Sequence, residues 1–187
     1  LESGKFPMTI APFDANELVR RILIGFEGRI DEKGIDVDVR LAADPCRALG
    51  DANRINQVVR NLVDNAVKFM TGEGSVLTLE TVKADKSILF RVADNGPGIA
   101  PEDQMHIFDR FYKADKAHTA GMGTGLGLSI CKSIIQQHGS DIRFESQPGR
   151  TVFEFALPAA AKALPEQPAQ LSAPETEKND ELKERLD

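Results

Sequence analysis

The ten residues Gly121 to Ile130 read GMGTGLGLSI, four glycines in seven positions followed at once by an apolar, helix-like run. Glycine carries the largest unfolded-state entropy of any residue, so such density means that backbone has to come close to something. At the start of a helix that something is most often phosphate. The spacing excludes the two commonest phosphate-binding folds. A Walker loop ends in Gly-Lys-Ser/Thr, and this run holds no Lys. The dinucleotide fingerprint is Gly-x-Gly-x-x-Gly after a strand, whereas Gly123, Gly125 and Gly127 are spaced Gly-x-Gly-x-Gly. The run therefore points to an anion site on some other fold, and the neighbouring segments have to say which.

Those segments have clear periodicities. Phe6 to Ala11 reads as a short strand, and Asp14-Ala-Asn-Glu17 as a capping box with Asp14 capping and Glu17 reaching back. Leu18, Ile22, Phe26 and Ile30 follow at i+4 spacing, with Gly34 placed to end that helix. Ile35, Val37, Val39 and Leu41 alternate with charge as a half-buried strand. A second long helix runs from about Asp51 to Met70, its apolar side beginning at Ile55. Two strands, Ser75 to Val82 and Ser87 to Asp94, are joined by a Lys-Ala-Asp-Lys hairpin loop. Pro101 opens a short helix through Phe111, residues 112 to 126 read as a loop, and a further helix spans Leu126 to His138. Asp141 to Ser146 and Thr151 to Leu157 close the pattern as a hairpin. Hairpin connections predominate, so the fold class is an α/β two-layer sandwich with a mixed, mostly antiparallel sheet and helices on one face.

With 187 residues, 41% of them hydrophobic, the chain suits one domain with a sizeable core. The net charge of −6 argues against nucleic acid as a partner. Seven acids against four bases after Pro158 carry half of that charge, so a basic site in the body remains open. That Pro/Ala/Glu-rich stretch, 159–187, reads as a disordered tail. Cys46 and Cys131 lie in no Cys-x-x-Cys pair and suggest neither zinc nor a disulfide. No apolar run reaches membrane-spanning length and no signal peptide is visible, which fits a cytoplasmic segment without membrane contact of its own.

On the second long helix Arg54, Gln57, Asn61, Asn65 and Lys68 recur at intervals of three and four, on one stripe that itself carries no carboxylate. Such a stripe is commonly a solvated face, yet Asn is a poor residue for a helix interior. Two amides aligned with cations suit a triphosphate and its metal, since an Asn carbonyl is a hard oxygen ligand for Mg²⁺. The strand Ser87 to Asp94 ends in a carboxylate followed by Asn-Gly-Pro-Gly98. That carboxylate can accept a hydrogen bond from an exocyclic amine, with Gly96 and Gly98 leaving space for a flat base.

Four stretches occur in a fixed order: Asn61-Leu-Val-Asp-Asn-Ala-Val-Lys68-Phe, Asp94-Asn-Gly-Pro-Gly98, Phe108-Asp-Arg-Phe-Tyr112-Lys113, and Gly123-Thr-Gly-Leu-Gly-Leu128. Together they resemble the N, G1, F and G2 boxes of the catalytic ATP-binding domain of sensor histidine kinases, of the GHKL or Bergerat type. The likeness covers residues 6–158. It implies ATP and Mg²⁺ as cofactors, with Asn61 the oxygen ligand to the metal and Asn65 and Lys68 along the phosphates. It makes Asp94 the acceptor of the adenine amine, with Gly96 and Gly98 shaping that pocket. Phe108 and Phe111 would anchor a lid, and Tyr112 and Lys113 would face the nucleotide. Gly123, Thr124, Gly125, Leu126 and Gly127 would serve as lid hinge and phosphate seat.

The implied reaction is transfer of the γ-phosphoryl of ATP to a histidine, for onward transfer to a response regulator. In the family that acceptor lies on a preceding dimerisation hairpin, beside its general base. His106, His118 and His138 lack its sequence context, and Leu1 to Lys5 resembles only the end of such a hairpin. The expectation is thus a monomeric catalytic piece of a homodimeric kinase, with membrane anchoring of the full-length protein left open. The Gln-Pro-Gly149-Arg turn departs from the family, which often carries a second glycine there. Rival readings are an anti-sigma-type serine kinase on the same fold, an ATP-driven clamp of the chaperone or gyrase kind, and a non-catalytic docking module.

Overall fold

The computed structural model describes residues 7–113 and 124–160. The chain enters through a strand, β1 (Ala11–Asp14), and passes directly into helix α1 (Ala15–Lys33). Asp14 caps it, Oδ1 accepting from the Glu17 amide at 2.9 Å, and Gly34 ends it in the left-handed conformation at φ 62°. Glu17 does not reach back as a capping box would; its carboxylate accepts from Arg21 one turn on, at 2.7 Å. Residues 7–10 form no strand, so the expected opening strand lies later in the chain than the sequence suggests.

Strand β2 (Asp36–Arg40) is followed by a short strand absent from the sequence reading, β3 (Arg47–Gly50), which pairs antiparallel with β1 as a separate two-stranded sheet. Helix α2 (Ala52–Phe69) then leads into the hairpin of β4 (Val76–Ala84) and β5 (Ser87–Asp94). The expected four-residue hairpin loop is tighter, because Ala84 already pairs with Ser87. Helix α3 is a single turn, Pro101–Gln104, rather than a helix through Phe111; consecutive i→i+3 turns follow, with Asp103 and His106 carbonyls each accepting from three residues ahead. Helix α4 (Gly127–Gln137) and the hairpin of β6 (Arg143–Gln147) and β7 (Arg150–Pro158) complete the domain.

The main sheet has the order β2-β4-β5-β7-β6, with β2–β4 parallel and the other pairs antiparallel. Alternate residues Leu77, Leu79, Ile88, Phe90, Val92, Phe153, Phe155 and Leu157 are buried with the apolar stripes of α1 and α2. Phe90 stacks on Phe155 at 5.0 Å, across the β5–β7 register. Each fully buried side chain of this size contributes about 1.5–3 kcal/mol. The opposite face is polar, with Arg91 bridging Glu80 and Glu154 at 2.5 and 3.0 Å. This is the predicted two-layer sandwich. The edge strand differs from expectation: Val37 and Val39 stay 40% and 42% exposed, because α1 packs over β4 rather than β2.

One buried polar cluster joins the layers. Asn16, fully buried on α1, donates to the Ala42 carbonyl and to Asp44 while its oxygen accepts from Thr81 on β4. The chain remains paired two residues beyond the expected domain end, Ala159 donating to Lys86 and Ala160 to Arg47. The expected hairpin end (1–5), the body of the lid and the tail from residue 161 lie outside the described residues.

Candidate functional site

A cleft of about 310 Å³ opens between α2, the end of β5 with its following loop, residues 112–113 and the start of α4. Asn61, Asn65 and Lys68 all line it, so the lower part of the polar stripe faces one space. Arg54 and Gln57 do not line it and meet each other instead, at 3.5 Å. A carboxylate does lie beside the stripe. Asp64 lines the same cleft, pairs with Arg29 at 2.5 Å, and draws the Lys68 pKa upward. Burial outweighs that pull and sets the Lys68 ammonium below its ordinary value, and the neighbouring Lys113 charge lowers it further. Two lysines repelling each other in a half-buried cleft form a place where an anion is favoured.

Asp94 lines the cleft at the end of β5. Burial raises its pKa, opposed by one hydrogen bond from the Gly96 amide to Oδ1 at 2.9 Å. Gly96 itself does not line the cleft; a Cβ there would lie 2.8 Å from Asp94 Oδ1, so it acts through the carboxylate. Gly98 lines the cleft, and its own backbone gives a second reason for glycine there. At φ 79° it crosses the β6–β7 turn so closely that a Cβ would sit 2.5 Å from the Gln147 carbonyl carbon.

The glycine-rich run divides in the same way. Gly125, at φ 70°, carries a chain crossing: a Cβ would lie 2.8 Å from the Phe111 carbonyl carbon, and its own carbonyl accepts from the Phe111 amide. Thr124, Gly125 and Gly127 line the cleft, Leu126 does not, and Gly123 lies outside the described residues. Leu126 is the residue before α4, and its carbonyl is taken by Ser129 and Ile130. Unlike α1 and α2, both capped by aspartate, α4 starts after Leu126 with no side-chain cap among the described residues, so its first amides can serve an anion. Asn61 Nδ2 donates to the Gly127 carbonyl at 3.4 Å, so this amide offers its oxygen.

Tyr112 and Lys113 both line the cleft, but the Tyr112 hydroxyl turns to Asp103 at 2.5 Å, a contact that raises its pKa. Phe108 is anchored, edge-on to Phe144 and Phe153. Phe111 is not; it is 72% exposed and left-handed at φ 65°. Sequence reasoning missed much of the remaining lining, including Ile99, Ile107, Leu128 and Phe153, and buried Thr151, which stands opposite Asp94 in the β5–β7 register. Only the register brings Thr151 there.

Among the described residues no group of three His, Cys, Asp or Glu could hold a metal ion. Both His138 nitrogens are engaged, by the Asp51 amide and the Ile134 carbonyl, while His106 meets Asp109 at 2.9 Å. His118 lies outside the described residues.

Residues 50–161 match the family of histidine kinase-, DNA gyrase B- and HSP90-like ATPases. The sensor protein SrrB of Staphylococcus aureus is 44% identical over 110 residues, 58% of this chain and 19% of SrrB. The chain thus spans about a fifth of the length of the curated relatives it matches. The catalytic domain of histidine kinase ThkA superposes with a TM-score of 0.72 at 34% identity, covering 81% of this chain and 97% of that one. ThkA has also been solved in complex with the response regulator TrrA. Full-length ShkA in complex with AMPPNP superposes with a TM-score of 0.75 at 30% identity, over 86% of this chain and 34% of ShkA.

Proposed function

Because the chain belongs to the histidine kinase-, DNA gyrase B- and HSP90-like ATPase family, as a histidine-kinase catalytic domain, we propose that its cleft binds Mg·ATP and presents the γ-phosphoryl to a histidine on a separate dimerisation hairpin. One observation carries this reading. Four segments distant in sequence bring a half-buried carboxylate, two amides, two lysines and the start of α4 into a single cleft. Asp94 accepts the adenine amine, and the apolar walls cover the base. Lys68, Lys113 and the α4 amides receive the phosphates, where the helix dipole also favours anions.

Mg²⁺ supplies charge neutralisation on the phosphates when bound. The donor set fits it: one hard oxygen, Asn61 Oδ1, is freed by the engagement of the amide nitrogen, and this ion keeps most of its waters. The chain's own part is positioning. With both His138 nitrogens engaged and His106 paired, the acceptor is supplied from the hairpin, whose pairing makes the full protein a homodimer. A response regulator then takes the phosphoryl group, as the ThkA complex with TrrA suggests. No helix among the described residues is long and apolar enough to cross a membrane, consistent with a cytoplasmic catalytic part.

The test is calorimetric titration of ATP, with and without Mg²⁺, into the wild-type chain and Asp94→Ala. It is paired with a search for acid-labile phosphohistidine when a phosphoacceptor hairpin is added. Saturable binding that Asp94→Ala abolishes, with hairpin phosphorylation, is the expected result. A folded chain that binds no ATP sinks the reading and leaves a docking module. Phosphoserine on an added partner would move the acceptor class.

A further inference from the structure

One wall of the cleft is held by side chains that do not line it. The Ile99 amide donates to Ser146 Oγ at 2.8 Å. Gln104 Nε2 donates to the Ile99 carbonyl at 2.9 Å and to the Ser146 carbonyl at 3.1 Å. Both backbone groups of Ile99, a lining residue, are therefore fixed from behind. Ser146 Oγ also shares a hydrogen bond with Thr151 Oγ1 at 2.9 Å, and Thr151 is the register partner of Asp94. The Gly149 amide bound to the Gly96 carbonyl at 2.9 Å seats the same loop on the same hairpin. The core does not need this arrangement: α3 contributes no buried residue, and Gln104 and Ser146 are only half-buried.

We propose that Gln104 and Ser146 are positioning residues for base selection. They hold the Pro97–Ile99 wall and Thr151 in fixed relation to Asp94, so that a planar base between them delivers its amine to the carboxylate. The inference rests on the nucleotide reading above. A hydrogen bond weakens steeply with distance and angle, so a wall that drifts by a fraction of an ångström degrades the amine contact first. The phosphate contacts come from Lys68 on α2, from Lys113 and from the start of α4, and none of these is a hydrogen-bond partner of Gln104 or Ser146 among the described residues.

The experiment compares ATP with purine riboside triphosphate, the same nucleotide without the exocyclic amine. Each is titrated with Mg²⁺ into the wild-type chain, Ser146→Ala, Gln104→Met and Gln104→Glu, with melting curves recorded alongside. The wild type is expected to prefer ATP by about tenfold, and the variants by about twofold or less, because one positioned hydrogen bond is worth roughly a factor of ten. Affinity for the amine-free nucleotide should hold in all four. Gln104→Glu, equal in size but without donors, should behave as Gln104→Met. Ser146→Ala removes a single hydroxyl and decides the matter if a Gln104 variant fails to fold. Parallel loss of both affinities, or an unchanged preference, overturns the inference while leaving the nucleotide reading intact. A wild type that binds neither nucleotide removes both.

Discussion

Asp94 enters the cleft with burial as the main influence on its protonation, opposed by a single amide hydrogen bond from Gly96. Its folded pKa lies above the unfolded one, so ionisation at neutral pH works against the unliganded fold. That penalty is relieved as pH falls through the raised value. Recognition runs the other way, since the amine needs a carboxylate acceptor. Asp94→Asn should therefore raise the melting temperature of the unliganded chain at pH 7 by a few degrees while weakening ATP about tenfold or more. Wild-type ATP affinity should decline on acidification before other carboxylates titrate. Scanning fluorimetry and calorimetry on the same samples check both; unchanged affinity in Asp94→Asn would remove Asp94 from the base site. Gly96 and Gly98 flank this carboxylate for unlike reasons. One gives room to the carboxylate, and the other lets two backbones cross. A motif records that both are glycine and is silent on the difference.

At the scale of elements, α2 carries the polar groups of the cleft and is secured at both ends. Asp51 caps its first turn, accepting from the Asn53 and Arg54 amides, and also accepts from the Thr9 amide, the largest cause of its lowered pKa. Lys33, at the end of α1, reaches the other terminus and donates to the carbonyls of Val67, Lys68 and Met70 at 2.7, 3.1 and 3.2 Å. One ammonium thus serves carbonyls that the helix cannot satisfy itself. Lys33→Met should cost about 1.5–3 kcal/mol in urea unfolding, the range for hydrogen bonds to a charged group. A loss below about 0.5 kcal/mol would show the terminus satisfied by water. The sequence made Asp14 and Gly34 legible as the ends of α1, because each acts within one turn of its own helix. It gave no sign of Lys33, whose partners lie 34 to 37 residues away. The short strand β3 was hidden similarly: four residues with little periodicity become a strand only against β1.

For the molecule as a whole, the two thiols report on integrity. Cys46 and Cys131 are fully buried, and burial pushes the Cys131 thiol up to about 12. Neither should react with iodoacetamide until the domain opens. Cys131 lies on α4, its sulfur 3.7 Å from the Val58 carbonyl of α2, so it is exposed when the two helices flanking the cleft part. ATP at a hundred times its Kd should slow Cys131 labelling by about a hundredfold if nucleotide binds only the closed form. Unaltered labelling would place the ligand elsewhere, and peptide mapping separates the two thiols. The sequence by itself determined the three long helices, the Asp14 and Gly34 ends of the first, most strands of the sandwich, and Asn61, Asn65 and Lys68 as residues of α2 that meet the cleft. These follow from interactions two to four positions apart, which periodicity records. Only the tertiary structure decided that Thr151 stands beside Asp94, that Gln104 and Ser146 brace Ile99, and that Gly98 and Gly125 serve chain crossings while Leu126 does not line the cleft. The Ile99–Ser146 bond spans 47 residues, and such contacts depend on strand register and on how segments cross. Register and crossings are settled by the packing of the whole sheet against its helices, which no local stretch of sequence encodes.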